Sequence, residues 1–165
     1  MSLTLRASLD LISDPENLDA SVREVFGTML GVRCDREPAG HFLRRTDGNE
    51  TVTAVVGFGG ALSGACVVLC DGSAARQMVA RMTGLEFESV DDTVKDGVGE
   101  ICNMIAGAWK SRVPDLAANC GLSVPAVITG RDYNLHVQAP EFEVRGSYDF
   151  EGAPFELRIV CDSLQ

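Results

Sequence analysis

Apolar residues recur every three or four positions in two long stretches of the chain, which predicts two amphipathic helices. The first begins at residues 14–16, where an aspartate suits the capping position and a proline suits the first helical turn, and Gly31 is a natural stop. The apolar positions of this helix are Leu18, Val22, Val25, Phe26, Met29 and Leu30. The second helix begins near residues 89–92, which resemble a capping box led by Ser89, and is expected to reach about Val113 before a proline ends it.

Shorter runs rich in β-branched and apolar residues predict strands, which turn residues separate. A further helix is predicted from Ser73, as its cap, to Gly84, as its stop, and a short helical turn is expected over residues 115–119. The predicted strands are residues 51–58, 65–70, 122–128, 133–138, 141–148 and 155–161, with one more short strand near 41–44.

Strands that follow one another through short turns favour a mainly antiparallel sheet. The apolar faces of the two long helices need a common surface to cover, and one face of that sheet provides it. At 165 residues the chain is long enough to bury a core as one unit. We therefore expect an α+β fold with α and β layers, a single domain over residues 1–165 with two long helices on one face of the sheet.

Composition excludes several classes of function. The net charge of −10 argues against a nucleic-acid partner, which needs clustered Lys and Arg. No apolar run approaches the roughly 18 residues of a membrane span, and the first ten residues lack the features of a signal peptide, so we expect no membrane partner and a cytoplasmic location. Six scattered cysteines and only two histidines, with no Cys-x-x-Cys pair, predict buried reduced thiols and no metal site.

The second predicted helix has one narrow polar face that carries candidate chemistry. At about 100° per residue, Asp96, Glu100, Asn103 and Gly107 fall within roughly 60° of one another. Glycine in a helix costs about 1 kcal/mol relative to alanine, so a partner that approaches this face closely would explain Gly107. The apolar positions on the opposite side are Val94, Val98, Ile101, Ile105, Ala108 and Trp109.

Residues 96–107, with the sequence Asp-x-x-x-Glu-x-x-Asn-Met-Ile-Ala-Gly, resemble the signature helix of the CheC/CheX/FliY phosphatases. The helix at 19–31, the hairpin at 55–68 and the helix at 75–84 follow in the order of that family, so the resemblance spans about residues 17–128. A proline about twenty residues after the asparagine is also part of the family pattern, and Pro125 lies 22 residues after Asn103. The chain carries the signature once, which matches the one-site CheX branch.

The resemblance implies a phosphatase that hydrolyses the aspartyl phosphate of a CheY-type response regulator. It implies the same layered fold, a homodimer that presents two sites, and no cofactor of the chain's own. The phosphorylated receiver domain would supply its own Mg²⁺ ion, acidic pocket and lysine, so the phosphatase has only to place a water and hold the reacting groups in position.

Two side chains suit those two tasks. Asn103 is the candidate that orients the attacking water, because a carboxamide both donates and accepts hydrogen bonds and keeps one charge state at every pH. Glu100 is the candidate that pairs with the receiver's lysine. Their three-residue spacing puts the two Cβ atoms about 5–6 Å apart, so that both can enter one small pocket. The expected partner-binding residues are Asp96, Met104, Gly107, Lys110 and Pro125.

Several alternatives stay open at this point. The Glu-x-x-Asn pair could be a solvated helix face, Pro125 could be a strand-entry residue, and Lys95 and Lys110 could solubilise the edges of their helix. The domain could also bind a receiver without hydrolysing anything. A scaffold component of the flagellar motor switch is the third possibility, although it would require additional domains that this length does not accommodate.

Overall fold

One antiparallel sheet forms the centre of the computed structural model, which describes residues 8–38, 49–131, 133–138 and 140–164. The strands of the described residues are β1 (Thr51–Gly60), β2 (Leu62–Asp71), β3 (Cys120–Leu122), β4 (Ala126–Gly130), β5 (Phe142–Phe150) and β6 (Ala153–Leu164). Their order in the sheet is β3-β1-β2-β6-β5, and β4 pairs with β1 beside β3. Every pairing is antiparallel, which confirms the predicted sheet.

Three of the helices cover one face of this sheet. The helices of the described residues are α1 (Leu9–Ile12), α2 (Pro15–Val25), α3 (Gly72–Thr83), α4 (Asp92–Ser111) and α5 (Pro114–Asn119), and a π-helical turn, Phe26–Leu30, extends α2. The helices α2, α3 and α4 share a single core with alternate residues of β1, β2, β5 and β6. The layered α+β fold is therefore confirmed, with α3 beside the two long helices that the sequence predicted.

The ends of α2 follow the sequence prediction. The Asp14 carboxylate accepts a hydrogen bond of 3.0 Å from the Glu16 N–H, and Pro15 occupies the first turn. The helical path then continues through the π-helical turn to Gly31, whose positive φ of 68° reverses the chain at low cost because glycine has no Cβ.

The predicted caps of α3 and α4 are wrong. Asp71, two residues before Ser73, caps α3 by accepting from the Ala74 N–H at 2.7 Å. Asp91, two residues after Ser89, caps α4 by accepting from the Val94 N–H at 2.9 Å. In both cases several capping residues stand close together, and the position of the first buried turn decides which of them caps the helix.

The single strand predicted over 122–128 is divided into β3 and β4. The Ser123 N–H donates to the Gly57 carbonyl at 2.9 Å, and the Ser123 hydroxyl accepts from the Gly57 N–H at 2.8 Å. The side chain thus takes over one bond of the ladder, and Pro125 has no N–H with which to continue it. The interrupted segment, residues 122–125, lies at the edge of the sheet beside α4.

The strand predicted over residues 133–138 is also wrong, because these residues form no ladder. The Tyr133 hydroxyl hydrogen-bonds with the Thr53 hydroxyl, and Thr53 alternates along β1 with the core residues Val52 and Ala54. Tyr133 therefore lies over the opposite face of the sheet from the helices. Alternating polarity indicates that one side of an extended segment is covered, but it does not require the segment to pair with another strand. The strand expected near 41–44 lies outside the described residues.

All six cysteines are buried and free, as the sequence predicted. Burial raises the pKa of the Cys34 thiol to about 12, with smaller contributions from Asp149, Asp35 and Glu37. Burial likewise raises the pKa of Cys70. Protonated, enclosed thiols of this kind pack as small apolar groups.

The core-facing side of α4 matches the predicted stripe, and Ala108 alone among its members is half-buried. Trp109 packs against Phe58 of β1 with ring centroids 5.3 Å apart. The remaining members of the stripe have no exposed surface: Val94, Val98, Ile101, Ile105 and Trp109.

Ile105→Ala tests this orientation of the helix. Ile105 is fully buried, so the truncation is expected to lower the free energy of unfolding by about 2–5 kcal/mol through lost burial and the cavity that remains. Chemical denaturation measures the change. Thr93→Ala, at an exposed position of the same helix, is the control and should stay within about 0.5 kcal/mol of wild type. An equally small loss for Ile105→Ala would contradict the assigned orientation.

Candidate functional site

The polar face of α4 points away from the core, as predicted. Asp96 and Glu100 are exposed, and Asn103 and Gly107 are half-buried at the edge of the same face. The four residues span about three turns of one helix, so their relative positions are set by helical geometry alone.

Glu100 and Asn103 have no partner within the described part of the chain. No hydrogen bond or ion pair engages either side chain, and the polar atoms of Asn103 are not among those sealed from solvent. A carboxylate and a carboxamide therefore stand side by side with their hydrogen-bonding groups free to meet another molecule. This is the arrangement that the sequence predicted for the site.

The helix that carries this pair is anchored on several sides. Arg112 at its end donates to the Ala20 carbonyl at 3.3 Å and pairs with Glu24 at 2.6 Å, which ties α4 to α2. Beneath the polar face, the Cys102 thiol donates to the Cys66 carbonyl of β2 at 3.5 Å. These contacts hold α4 in place against both α2 and the sheet.

Both lysines of the chain engage groups near the ends of α4. Lys110 donates from Nζ to the Ala117 carbonyl of α5 at 3.1 Å, where its charge also suits the carboxyl end of that helix. Lys95 lies 3.5 Å from the Asp92 carboxylate in an exposed pair. Met104, the other predicted contact residue on α4, is half-buried and packs against the edge of the core.

Two further glycines of α4, which sequence reasoning did not single out, face the protein's own elements. A Cβ on Gly97 would lie 2.6 Å from Cγ2 of Val79 on α3. A Cβ on Gly99 would lie 3.2 Å from the Pro125 ring and 3.3 Å from Cγ2 of Val127. These glycines let α3 and the edge of the sheet approach the helix backbone closely.

Gly107 differs from that pair. A Cβ at this position would meet only Leu122 Cδ1, at an ordinary contact distance of 3.9 Å. No packing among the described residues therefore requires glycine at position 107. Close approach by another molecule, the explanation that the sequence suggested for Gly107, stays a prediction.

Residues 122–125 border the site along the Asn103 side. Leu122 lies beside Gly107, and Pro125 lies against Gly99, two turns earlier along α4. Asn103 falls midway between these two glycines along the helix axis and, at about 100° per residue, also between them around it. The sequence gives only the spacing of Pro125, because the contact of Leu122 depends on how β3 pairs with β1.

Glu100 and Asn103 lie on the outer face of α4, with Glu100 exposed and Asn103 half-buried. A cavity of about 320 Å³ opens at the start of α3, and none of the predicted site residues lines it. Within the described ranges, no cluster of three or more His, Cys, Asp or Glu side chains could hold a metal ion. In the same ranges, no helix is long and apolar enough to cross a membrane.

A family model described as chemotaxis phosphatase CheX matches residues 52–145, which is more than half of the chain and includes all of α4. The chain belongs to this CheX family. Among characterised relatives, the CheY-P phosphatase CheX of Thermotoga maritima is 27% identical over 87 residues. That match covers 52% of this chain, and the chain spans only 56% of the relative's length.

Solved structures show the same fold. The CheX of a CheX–CheY–BeF₃–Mg²⁺ complex from Borrelia burgdorferi superposes with a TM-score of 0.74 and 19% identity, covering 92% of this chain and 99% of that one. A CheC-like superfamily protein from Shewanella sp. PV-4 has a TM-score of 0.74 and 17% identity, with 99% and 100% covered. The likeness therefore extends well beyond the residues that the family model matches.

Alanine substitutions at Gly97 and Gly107 test the different surroundings of the two glycines. Gly97→Ala is expected to lower the free energy of unfolding by about 1–3 kcal/mol, because the new methyl group overlaps the buried Val79 side chain. Gly107→Ala should raise it by about 0.5–1 kcal/mol, because alanine favours the helix and meets no close contact. Thermal and chemical unfolding measure both, and a destabilised Gly107→Ala would contradict the open surface.

Proposed function

We propose that this chain hydrolyses the aspartyl phosphate of a CheY-type response regulator, using Asn103 and Glu100 of α4. The proposal is carried by one observation: the two side chains lie together on the outer face of one helix, and neither has a partner among the described residues. The name of the Thermotoga relative, a CheY-P phosphatase, supports the activity. The CheX–CheY complex from Borrelia supports the class of partner.

Hydrolysis requires a water oxygen to attack phosphorus in line with the acyl oxygen that leaves. The P–O bond to the aspartyl carboxylate breaks, inorganic phosphate departs, and the proton lost by the water passes to solvent or to the departing oxygens. In the proposed complex the Asn103 carboxamide oxygen accepts a hydrogen bond from that water and fixes its direction of attack. The Mg²⁺ ion belongs to the receiver and neutralises charge on the phosphoryl oxygens.

Glu100 has the second role, which is to pair with the lysine of the receiver's phosphorylation site. Since its carboxylate has no partner in the described part of the chain, docking breaks none of the ion pairs found there. The new pair gains strength as the interface excludes water, and its geometry sets the register in which Asn103 meets the phosphoryl group.

The outlying residues of the predicted site have supporting roles in this proposal. Asp96 extends the acidic face, Gly107 admits the receiver backbone, and Met104, Lys110 and Pro125 lie at the margins of the contact. The homodimer implied by the family resemblance remains a prediction.

Asn103→Ala tests the water-orienting role. The variant should accelerate receiver dephosphorylation about 100-fold less than wild type does, because no carboxamide then orients the attacking water. Its free energy of unfolding should stay within about 0.5 kcal/mol of wild type, since the side chain makes no hydrogen bond to the residues that the structure describes. Phosphate release from phosphorylated receivers measures the first quantity and chemical denaturation the second. Asn134→Ala, at an exposed asparagine outside the site, is the matched control.

The same assay distinguishes catalysis from binding alone. If wild type binds the activated receiver but does not speed phosphate release, the chain is a receiver-binding module and the catalytic proposal fails. If Asn103→Ala unfolds far more easily than wild type, Asn103 has a structural role and its assignment fails.

Glu100→Gln tests the docking pair. Removal of the charge should raise KM for the phosphorylated receiver about 10-fold, because the receiver's lysine then has no ion partner in the closed interface. The KM of wild type should also rise with salt more steeply than that of the variant. Glu86→Gln, at an exposed position in the loop between α3 and α4, is the control. An unchanged KM and an unchanged salt dependence would exclude a lysine partner for Glu100.

A further inference from the structure

Val124 is exposed to an extent that is unusual for an apolar side chain in an ordered segment. It is 87% exposed, the highest value among the large hydrophobic residues of the described chain. It lies between β3 and β4 in the interrupted segment 122–125. Its neighbours on both sides are fixed, so its exposure is a property of the folded surface.

The fixing contacts act on both sides of Val124. Ser123 exchanges two hydrogen bonds with Gly57 of β1, at 2.9 and 2.8 Å. Pro125 packs against the bare backbone of Gly99 on α4. The residue before a proline is also confined to extended backbone conformations, which further limits the freedom of Val124.

The position of Val124 relates it directly to the site. Residues 122–125 border α4 from Gly107 back to Gly99, and Asn103 lies midway between those two glycines. A receiver domain whose acyl phosphate reaches Asn103 would therefore lie close to the segment 122–125, which contains Val124. An apolar side chain at the edge of a polar contact helps to exclude water from it.

We propose that Val124 is a docking residue for the phosphorylated receiver, and that it packs against an apolar patch beside the receiver's acyl phosphate. The inference rests on the proposed function, since the receiver is the partner whose approach to Asn103 would cover Val124. Val124 acts on the docked geometry and does not touch the reacting atoms, so it is a positioning residue.

Val124→Thr tests this role at nearly constant shape, because a hydroxyl replaces one methyl group. Burial of that hydroxyl without a partner should raise KM for the phosphorylated receiver about 10-fold, equivalent to about 1.4 kcal/mol, with kcat within about twofold of wild type. Val124→Ile keeps the apolar contact and should restore KM. Ile128→Thr is the matched control, because Ile128 is 49% exposed and alternates with Val127, which faces α4.

A KM for Val124→Thr that stays at the wild-type value would overturn the inference, as would an equal loss in kcat with KM unchanged. Sedimentation without receiver adds a second test, because a variant that dissociates a dimer would assign Val124 to a contact between copies of this chain and overturn the receiver contact. Binding to a beryllofluoride-activated receiver separates the two proposals. Weaker binding by Val124→Thr supports the docking residue even if wild type proves to have no phosphatase activity.

Discussion

Burial of one side of α4 is the constraint on which the whole arrangement depends. The five large apolar side chains of the stripe, from Val94 to Trp109, have no exposed surface. Each contributes about 1.5–3 kcal/mol when fully buried, so together they hold the helix firmly in one rotational setting. A large rotation would expose this stripe and bring the Glu100 carboxylate into the core, where an unpaired charge costs several kcal/mol. The outward position of Glu100 and Asn103 therefore follows from residues that are buried inside the protein.

Glycine placement determines what surrounds the pair. Gly97 admits α3 and Gly99 admits the edge of the sheet, so the middle of α4 is clamped from two sides at short range. Gly107 has space above it. One residue type thus serves close internal packing in two places and leaves open surface in a third. This distinction bears on the proposed function, because close packing at Gly97 and Gly99 fixes the position of the adjacent Glu100, while the surface at Gly107 is not closely packed by the described residues.

Local patterns predicted most of this fold and the placement of Glu100 and Asn103 on the outer face of α4. Helical periodicity placed Ile105 in the core and Asn103 outside it, because a wheel needs only the angle between residues. The same patterns failed where the outcome depends on distant parts of the chain. Residues 133–138 alternate like a strand, yet Tyr133 crosses the face of the sheet to Thr53. The exposure of Val124 could not be predicted either, since it results from the bonding of Ser123 to Gly57, 66 residues away.

Glu100 and Asn103 have no partner among the described residues, and this affects how the proposed turnover would proceed. Contacts that hold phosphorylated and unphosphorylated receivers equally well lower KM without lowering the barrier, and they also retain the product. In the proposed mechanism an uncharged Asn103 avoids this difficulty, because its hydrogen bond would go to a water that matters only while the acyl phosphate is present. A Glu100 pair and an apolar contact at Val124 would act differently, since both hold the receiver whatever its state. In the proposed mechanism, affinity and chemistry therefore belong to different side chains of one small surface, and changes to each should appear in different kinetic constants.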